Sequence, residues 1–344
     1  TILVAYYIVT FVFGIAGQFF APTLGATIPV VTPRHQLMSA NALFNLTSTA
    51  AQLIGFAAVG PLLVKAVGID SLFVGTIVVY LVCAAVVMTL PETPVAAVAA
   101  KVPGVSPTRR LFEDMKEGLV YILQDPVLMR AIGYLTLAST TFLLVATLGP
   151  DFVTSVVGLD KEDIGYIVAP AGFGILIGVL VVPRVVRRIG RDWLIDLSLA
   201  VGGLMMVLMA TTRAIVDLLA PDGEATVWLV TLLTGTFAFL LGICNAFILV
   251  PSQTMLQERS NEFVRARVYA TFFTISNTVA FIPIFFAAAA ADLFGVVRVL
   301  LVVASLVGGL GIVGLIHRRA SVLARWERVQ VRRRDGPECL PPAS

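Results

Sequence analysis

The sequence predicts an all-α integral membrane protein, a bundle of long helices that cross a lipid bilayer. Hydrophobic residues make up 58% of the chain and charged residues only 13%, whereas a water-soluble domain has about a quarter of its residues charged. The apolar residues form long runs, unlike the short alternating stretches of a membrane β-barrel. Many of these runs reach the roughly 20 residues that a helix needs to cross a bilayer.

Nine apolar runs are long enough to predict nine transmembrane helices. They are residues 2–31, 37–64, 71–90, 127–150, 164–183, 192–212, 226–256, 264–291 and 295–316. The first and seventh runs contain Pro22 and Pro251 near their ends, where a membrane helix can kink because neighbouring groups satisfy the freed carbonyl. We therefore predict three spans in residues 1–90 and a six-helix bundle in residues 127–316.

The longest connection, residues 91–126, lies between these two groups of spans. Its second part predicts an amphipathic helix, because Leu111, Met115, Leu119 and Ile122 recur at helical spacing. Such a helix is expected to lie along the membrane surface.

Basic residues are distributed unevenly between the two sides of the predicted bundle. When nine spans alternate in direction, twenty of the 24 lysines and arginines fall on one side. Cytoplasmic loops carry the excess of Lys and Arg, so this side and the C-terminus are predicted to be cytoplasmic, in the inner (plasma) membrane. The Arg-rich tail, residues 317–344, is expected to bind the anionic inner leaflet, and its place directly after a span argues against a nucleic-acid partner.

A weak internal repeat relates the two groups of spans. Phe20-Ala21-Pro22 followed by Ala40-Asn41-Ala42 echoes Leu249-Val250-Pro251 followed by Val268-Tyr269-Ala270. Duplicated halves are common in transporters, with the substrate held between them. Residues 1–90 are then expected to be the second half of an N-terminal bundle whose first three spans would precede Thr1, where the sequence begins inside an apolar run.

Three segments also carry a family resemblance. They are Phe19-Phe20-Ala21-Pro22 with Ala40-Asn41-Ala42-Leu43, Glu117-Gly118-Leu119 with Asp125-Pro126, and Leu256-Gln257-Glu258-Arg259 with Arg265-Ala266-Arg267-Val268-Tyr269-Ala270. These resemble the fourth-to-fifth helix passage, the central-loop helix and the tenth-to-eleventh helix passage of the major facilitator superfamily, in its branch of siderophore, macrolide and drug exporters. The resemblance covers residues 2 to 316. It implies a twelve-helix fold with helices four to twelve present, efflux of a small organic molecule and a possible exchange for protons.

Uncharged polar residues inside the predicted spans are the candidates for a substrate cavity. Polar side chains in a membrane helix face inward, where hydrogen bonding to a neighbouring helix is the commoner role for a hydroxyl. Amides bring several hydrogen-bonding sites, which one packing partner rarely satisfies, and such a lining suits a neutral or amphiphilic organic molecule. The candidates are Gln18, Asn45, Gln52, Ser139, Thr140, Asn245, Gln253 and Asn277.

Charged residues near the predicted cytoplasmic ends are candidates for a gate or for conformational control. For the arginines after the fifth span, setting the topology is the favoured alternative. Asp196 is expected to pair with Arg191 or a neighbouring loop arginine, because an uncompensated charge inside a span is costly. The candidates are Arg187, Arg188, Arg191, Asp196, Glu258, Arg259, Arg265 and Arg267.

The sequence therefore predicts a secondary active transporter with a small-molecule substrate. An enzyme is not expected, because the sequence offers no paired carboxylates or nucleophile constellation, and no cofactor or metal site is expected from two histidines and three scattered cysteines. A non-transporting membrane scaffold or receptor with the same helices is the remaining alternative.

Overall fold

The computed structural model describes residues 2–55, 60–89, 107–160, 164–219, 225–260 and 264–334, and these segments are helical throughout apart from short turns. The all-α prediction is confirmed. The helices are α1 (Ile2–Val31), α2 (Leu37–Ile54), α3 (Gly60–Met88), α4 (Pro107–Gln124), α5 (Pro126–Phe152), α6 (Gly165–Ile189), α7 (Arg191–Leu219), α8 (Ala225–Arg259), α9 (Arg265–Phe294) and α10 (Val296–Arg334). A 3-10 turn precedes α2, and a π-helical turn extends α5 to Val157.

Seven of the described helices contain stretches long and apolar enough to cross a membrane. They are Ser71–Met88, Pro126–Val157, Gly165–Ile189, Arg191–Leu218, Val227–Arg259, Arg265–Phe294 and Val296–Arg319. In α1 the described apolar stretch, Tyr7–Gly17, is shorter, and α2 ends at Ile54 before residues 56–59, which lie outside the described segments. A multi-pass membrane protein is supported, and the count of nine spans stays a prediction.

Helix ends differ from the predicted ones where single glycines separate helices. Gly68, Gly190 and Gly295 have φ values of 80°, 82° and 86°, in the left-handed region that a glycine adopts without steric cost. Gly190 therefore separates α6 from α7, and Gly295 separates α9 from α10. Because no glycine interrupts the helix after residue 316, α10 continues through the predicted start of the tail to Arg334. The last ten residues lie outside the described segments.

The amphipathic helix of the connection is α4, and it is separated from α5 by a single residue. The side chain of Asp125 accepts hydrogen bonds from the backbone N–H groups of Val127 and Leu128, at 2.8 and 3.3 Å. Pro126 occupies the first turn of α5, where its missing N–H costs nothing. The chain therefore turns sharply between α4 and α5. The earlier part of the connection, residues 90–106, lies outside the described segments.

We call α5 to α10 the C-terminal bundle, since these helices pack closely on one another through small residues. Gly174 and Gly178 of α6 lie against α8, and a Cβ at Gly178 would come 2.8 Å from that of Ala246. Gly203 of α7 lies against Gly308 of α10, whose Cα would be 2.5 Å from an added Cβ. Without a hydrophobic driving force between membrane helices, such close approach supplies much of the attraction.

Candidate functional site

The N-terminal helices α1 and α2 contact the C-terminal bundle at one end of the bundle. There Ala42 of α2 packs into an apolar cluster with Val179 and Val182 of α6 and Val250 of α8. We call this the basic end, because the last turns of α6 and α8 and the first turns of α7 and α9 all carry arginines there.

A second contact joins α1 to α9 at the same end. Gly25 of α1 lies against the ring of Tyr269, and a Cβ at Gly25 would come 2.7 Å from the ring's Cδ1 atom. Tyr269 is buried, with its ring edge-on to that of Phe272 and tilted relative to that of Phe273 in the same helix. Only a residue without a side chain fits at this position of α1.

Four amide side chains cross the contact between α2 and α8. The Nδ2 of Asn41 donates to Oε1 of Gln257 at 2.6 Å, and Nε2 of Gln257 donates back to Oδ1 of Asn41 at 2.9 Å. One helical turn further along α2, Nδ2 of Asn45 donates to Oε1 of Gln253 at 2.8 Å. We call these four residues the amide ladder. It forms because each helix places an amide at positions i and i+4, on one face, and the two helices run in opposite directions.

The inner part of the amide ladder is dry. Asn41 and Gln257 are 1% and 3% exposed, and Thr254, whose Oγ1 accepts a hydrogen bond from Asn41 at 3.3 Å, is 1% exposed. Buried amides without partners would cost about 1–3 kcal/mol each. The pairing therefore makes the contact specific in register as well as close in packing.

The structure distributes the predicted cavity residues unevenly. Asn45 and Gln253 are hydrogen-bonded to each other, so in this conformation they pair and do not line an open cavity. Gln52, Ser139 and Asn277 are exposed, Asn245 is half-buried, and Thr140 is buried with an Oγ1 that has no hydrogen-bond partner among the described residues. The side chain of Gln18 lies outside the described part of the chain. Asn41 and Gln257 were not among the predicted cavity residues, although the i, i+4 spacing of Asn41 with Asn45 and of Gln253 with Gln257 was a usable signal.

The predicted gate charges all lie in α6 to α9 of the C-terminal bundle. Arg191 at the start of α7 pairs with Glu258 at the end of α8, and Arg267 of α9 pairs with Glu117 of α4. Arg259 lies 3.8 Å from Asp125, and Arg187 and Arg188 are exposed. Arg265 is buried, with its Nη2 donating to the carbonyl oxygen of Ser260 at 3.3 Å. The described ion pairs therefore join elements of residues 107–319, whereas uncharged amides join α2 to the bundle.

Asp196 pairs with Arg318 of α10 and not with Arg191, the first of the two alternatives expected from the sequence. Its Oδ2 accepts a hydrogen bond from Nε of Arg318, and its Oδ1 accepts one from the hydroxyl of Tyr134 at 2.8 Å. Asp192 lies 3.1 Å from Nη1 of the same arginine. A carboxylate that is 1% exposed needs such partners, and this cluster ties α5, α7 and α10 together inside the C-terminal bundle.

The chemistry at the basic end is that of a contact surface. Among the described residues, no group of three or more His, Cys, Asp or Glu could hold a metal ion. Among the described residues, the contacts between α1–α2 and the bundle involve the amides, Thr254, Tyr269 and an apolar cluster around Ala42.

Comparison with known proteins gives a family match. A family model described as the Major Facilitator Superfamily matches residues 1–284. No curated protein matches the chain. A solved structure of a bacterial homologue of the iron transporter ferroportin, in an outward-facing state with soaked iron, is similar over 87% of each chain, with 17% sequence identity and a TM-score of 0.39.

Proposed function

The chain belongs to the major facilitator superfamily, and we propose that it works by alternating access with the amide ladder as a gate. Together with the Ala42 cluster and the Gly25–Tyr269 contact, the amide ladder forms what we call the inner gate. In this conformation the inner gate is closed. A transporter of this kind exposes its central cavity to one side of the membrane at a time, by rocking one group of helices against the other.

The observation that carries this proposal is the uncharged, reciprocal hydrogen bonding between Asn41 and Gln257. A gate must hold its closed position and yet open at modest cost. Amide hydrogen bonds meet this requirement, because water can replace each protein partner when the helices separate and the net loss per bond is only about 1 kcal/mol. A buried ion pair in the same place would leave two charges to be solvated.

The substrate that fits this chemistry is a small neutral or amphiphilic organic molecule. When the inner gate opens, Asn41, Asn45, Gln253 and Gln257 lose one another and line the opening with donors and acceptors between apolar residues. Such a lining suits an organic molecule with a few hydrogen-bonding groups. Movement out of the cell, and its coupling to protons, are parts of the proposal supported by the resemblance to drug and siderophore exporters.

The orientation belongs to the same proposal. Arginine-rich ends of transmembrane helices face the cytoplasm, so the inner gate would close the cytoplasmic side of the inner membrane. The continuation of α10 to Arg334 supports a basic helix that leaves the bilayer and lies near anionic headgroups of the inner leaflet. The other gate charges would then position the helix ends within the C-terminal bundle.

The experiment uses the full-length protein and a panel of labelled organic compounds in cells. We expect Asn45→Ala and Gln253→Ala to change efflux several-fold, because each leaves one amide of the ladder without its partner. Thr47→Ala is the matched control, since Thr47 is an exposed polar residue of the same helix. A membrane scaffold with the same fold would show no compound whose accumulation depends on the protein, and that result would refute the proposed function.

A further inference from the structure

Helix α4 touches α8 and α9, two of the helices of the C-terminal bundle that carry the inner gate. On one side, a Cβ at Gly118 would come 2.5 Å from Oγ1 of Thr271 and 2.9 Å from the carbonyl oxygen of Arg267, both in the first turns of α9. On the other, the hydroxyl of Tyr121 donates to the carbonyl oxygen of Arg259, the last residue of α8, at 3.0 Å. One short helix thus bridges the end of α8 and the start of α9.

The apolar face of α4 packs against residues of α8 and α9 that neighbour or belong to the inner gate. Ile122 is buried in one cluster with Leu256 and Tyr269. Leu256 stands directly before Gln257 in α8, and Tyr269 is the residue that seats against Gly25 of α1. A displacement of α4 would therefore reach the amide ladder and the Gly25–Tyr269 contact through this packed cluster.

Ion pairs at the surface also connect α4, and the residue that follows it, to α8 and α9. Glu117 pairs with Arg267 of α9, and Asp125, at the end of α4, lies 3.8 Å from a guanidinium nitrogen of Arg259. Exposed ion pairs of this kind contribute little to stability. One pair lies at the end of α8 and the other in the first turn of α9, so together they orient α4 relative to both helices.

We propose that Gly118 and Tyr121 are positioning residues of the inner gate, and that α4 is a brace. The brace holds the ends of α8 and α9 where Gln253, Gln257 and Tyr269 meet α1 and α2. Hydrogen bonds weaken steeply as their distance and angle depart from the optimum, so a shift of the α8 end by about 1 Å opens the ladder. This inference rests on the proposed function, because it takes the amide ladder to be a gate.

The test measures how readily the inner gate opens. The full-length protein carries Ala42→Cys, is reconstituted in lipid nanodiscs and is exposed to a water-soluble maleimide. Modification at position 42 is followed by peptide mass spectrometry, which separates it from the native cysteines. Because Ala42 is only 7% exposed when the gate is closed, its labelling rate reports opening. Thermal unfolding of each variant is measured separately.

Gly118→Ala is the first variant, and Gly133→Ala is its matched control. The added methyl at position 118 meets backbone of α9, whereas an added Cβ at Gly133 of α5 has nothing within 4 Å. We expect Gly118→Ala to raise the labelling rate several-fold and Gly133→Ala to leave it unchanged.

A charge-reversal pair decides the question if Gly118→Ala does not fold. Glu117→Arg and Arg267→Glu are expected to raise the labelling rate singly, and their combination is expected to restore the parent rate. A structural role without effect on the gate would change thermal unfolding but not labelling.

The outcomes separate the brace from the gate. If Asn45→Ala raises the labelling rate while Gly118→Ala and both single charge reversals do not, the gate stands and the brace is refuted. If Asn45→Ala also leaves the rate at the parent value, the inner gate itself is refuted.

Discussion

Asn41 and Gln257 exchange two side-chain hydrogen bonds, at 2.6 and 2.9 Å, across the contact between α2 and α8. Both side chains are almost fully buried. Each amide presents one donor group and one acceptor to the other, so the pair is satisfied in this register and loses both bonds in any other. A contact 216 residues apart in sequence thereby fixes how the N-terminal helices meet the C-terminal bundle.

Removing one member of this pair should cost more than removing both. Asn41→Ala leaves the amide of Gln257 buried without its partner, and we expect a loss of about 1–3 kcal/mol in the closed conformation. Asn41→Leu with Gln257→Leu replaces the two hydrogen bonds by an apolar contact, so the double variant should unfold at the parent temperature or above. Because water cannot hydrogen-bond to the separated leucines, opening the gate should become costly and transport should be lost. Thermal unfolding and efflux of the full-length protein test both statements. Normal efflux by the double leucine variant would show that the pair need not separate.

Salt should have little effect on closure of the inner gate. The described hydrogen bonds between α2 and α8 join uncharged side chains, which ions do not screen. Interactions between exposed charges, in contrast, weaken strongly between about 0.05 and 0.5 M salt. With Ala42→Cys, the labelling rate at position 42 should change less than about twofold over this range. A steep rise with salt would mean that ion pairs, and not the amide ladder, hold the gate.

The buried cluster around Asp196 should contribute to stability and not to gating. Asp196→Ala removes the buried carboxylate that accepts hydrogen bonds from Arg318 and Tyr134. Because Asp192 still lies 3.1 Å from Arg318, we expect a loss of about 1–3 kcal/mol. Glu258→Ala removes the partner of Arg191 in a pair whose side chains are 37% and 33% exposed, so it should cost at most about 1 kcal/mol. Thermal unfolding compares the two variants. Asp196→Ala protein that remains folded should keep the parent labelling rate at position 42, and a raised rate would place this cluster in the gate.

Close packing of α6 on α8 should tolerate no side chain at its centre. A Cβ at Gly174 would overlap the backbone at Phe239 and come 3.2 Å from the backbone nitrogen of Ile243, whereas one at Gly165 of the same helix has nothing within 4 Å. Since backbone cannot move aside cheaply, Gly174→Ala should destabilise the protein by about 1–3 kcal/mol. Gly165→Ala serves as the control. Equal unfolding temperatures for the two variants would contradict the packing described for these helices.

The orientation of the bundle can be read from two exposed residues at opposite ends. Asp160→Cys follows the extension of α5, and Arg188→Cys lies at the basic end in the last turn of α6; both native residues are exposed. A membrane-impermeant maleimide added to intact cells should modify position 160 and spare position 188, because arginine-rich ends face the cytoplasm. The reverse pattern would invert the orientation and place the inner gate outside.

Local patterns in the sequence determined the membrane class and much of the helix layout. The spacing of Met115, Leu119 and Ile122 predicted α4, and Asp125-Pro126 marked the end of that helix, because periodicity and capping act within a few residues of one another. The basic residues near the helix ends likewise predicted the basic end before any packing was known. These features follow from hydropathy, helix propensity and charge, which are properties of short segments and do not depend on tertiary packing.

Tertiary structure alone decided which side chains meet. Asp196 was expected to pair with Arg191, five residues away, or with a neighbouring loop arginine. Its partner is Arg318, 122 residues away. Asn45 and Gln253 were predicted as cavity residues, and the structure sets them against each other across 208 residues. Both outcomes depend on how helices cross and in what register. For Asp196, Gly311 and Gly314 of α10 allow the close approach to α7 that brings Arg318 to it. The sequence determines which polar and apolar side chains each helix carries, whereas the crossing and register of the packed helices decide which of them come into contact.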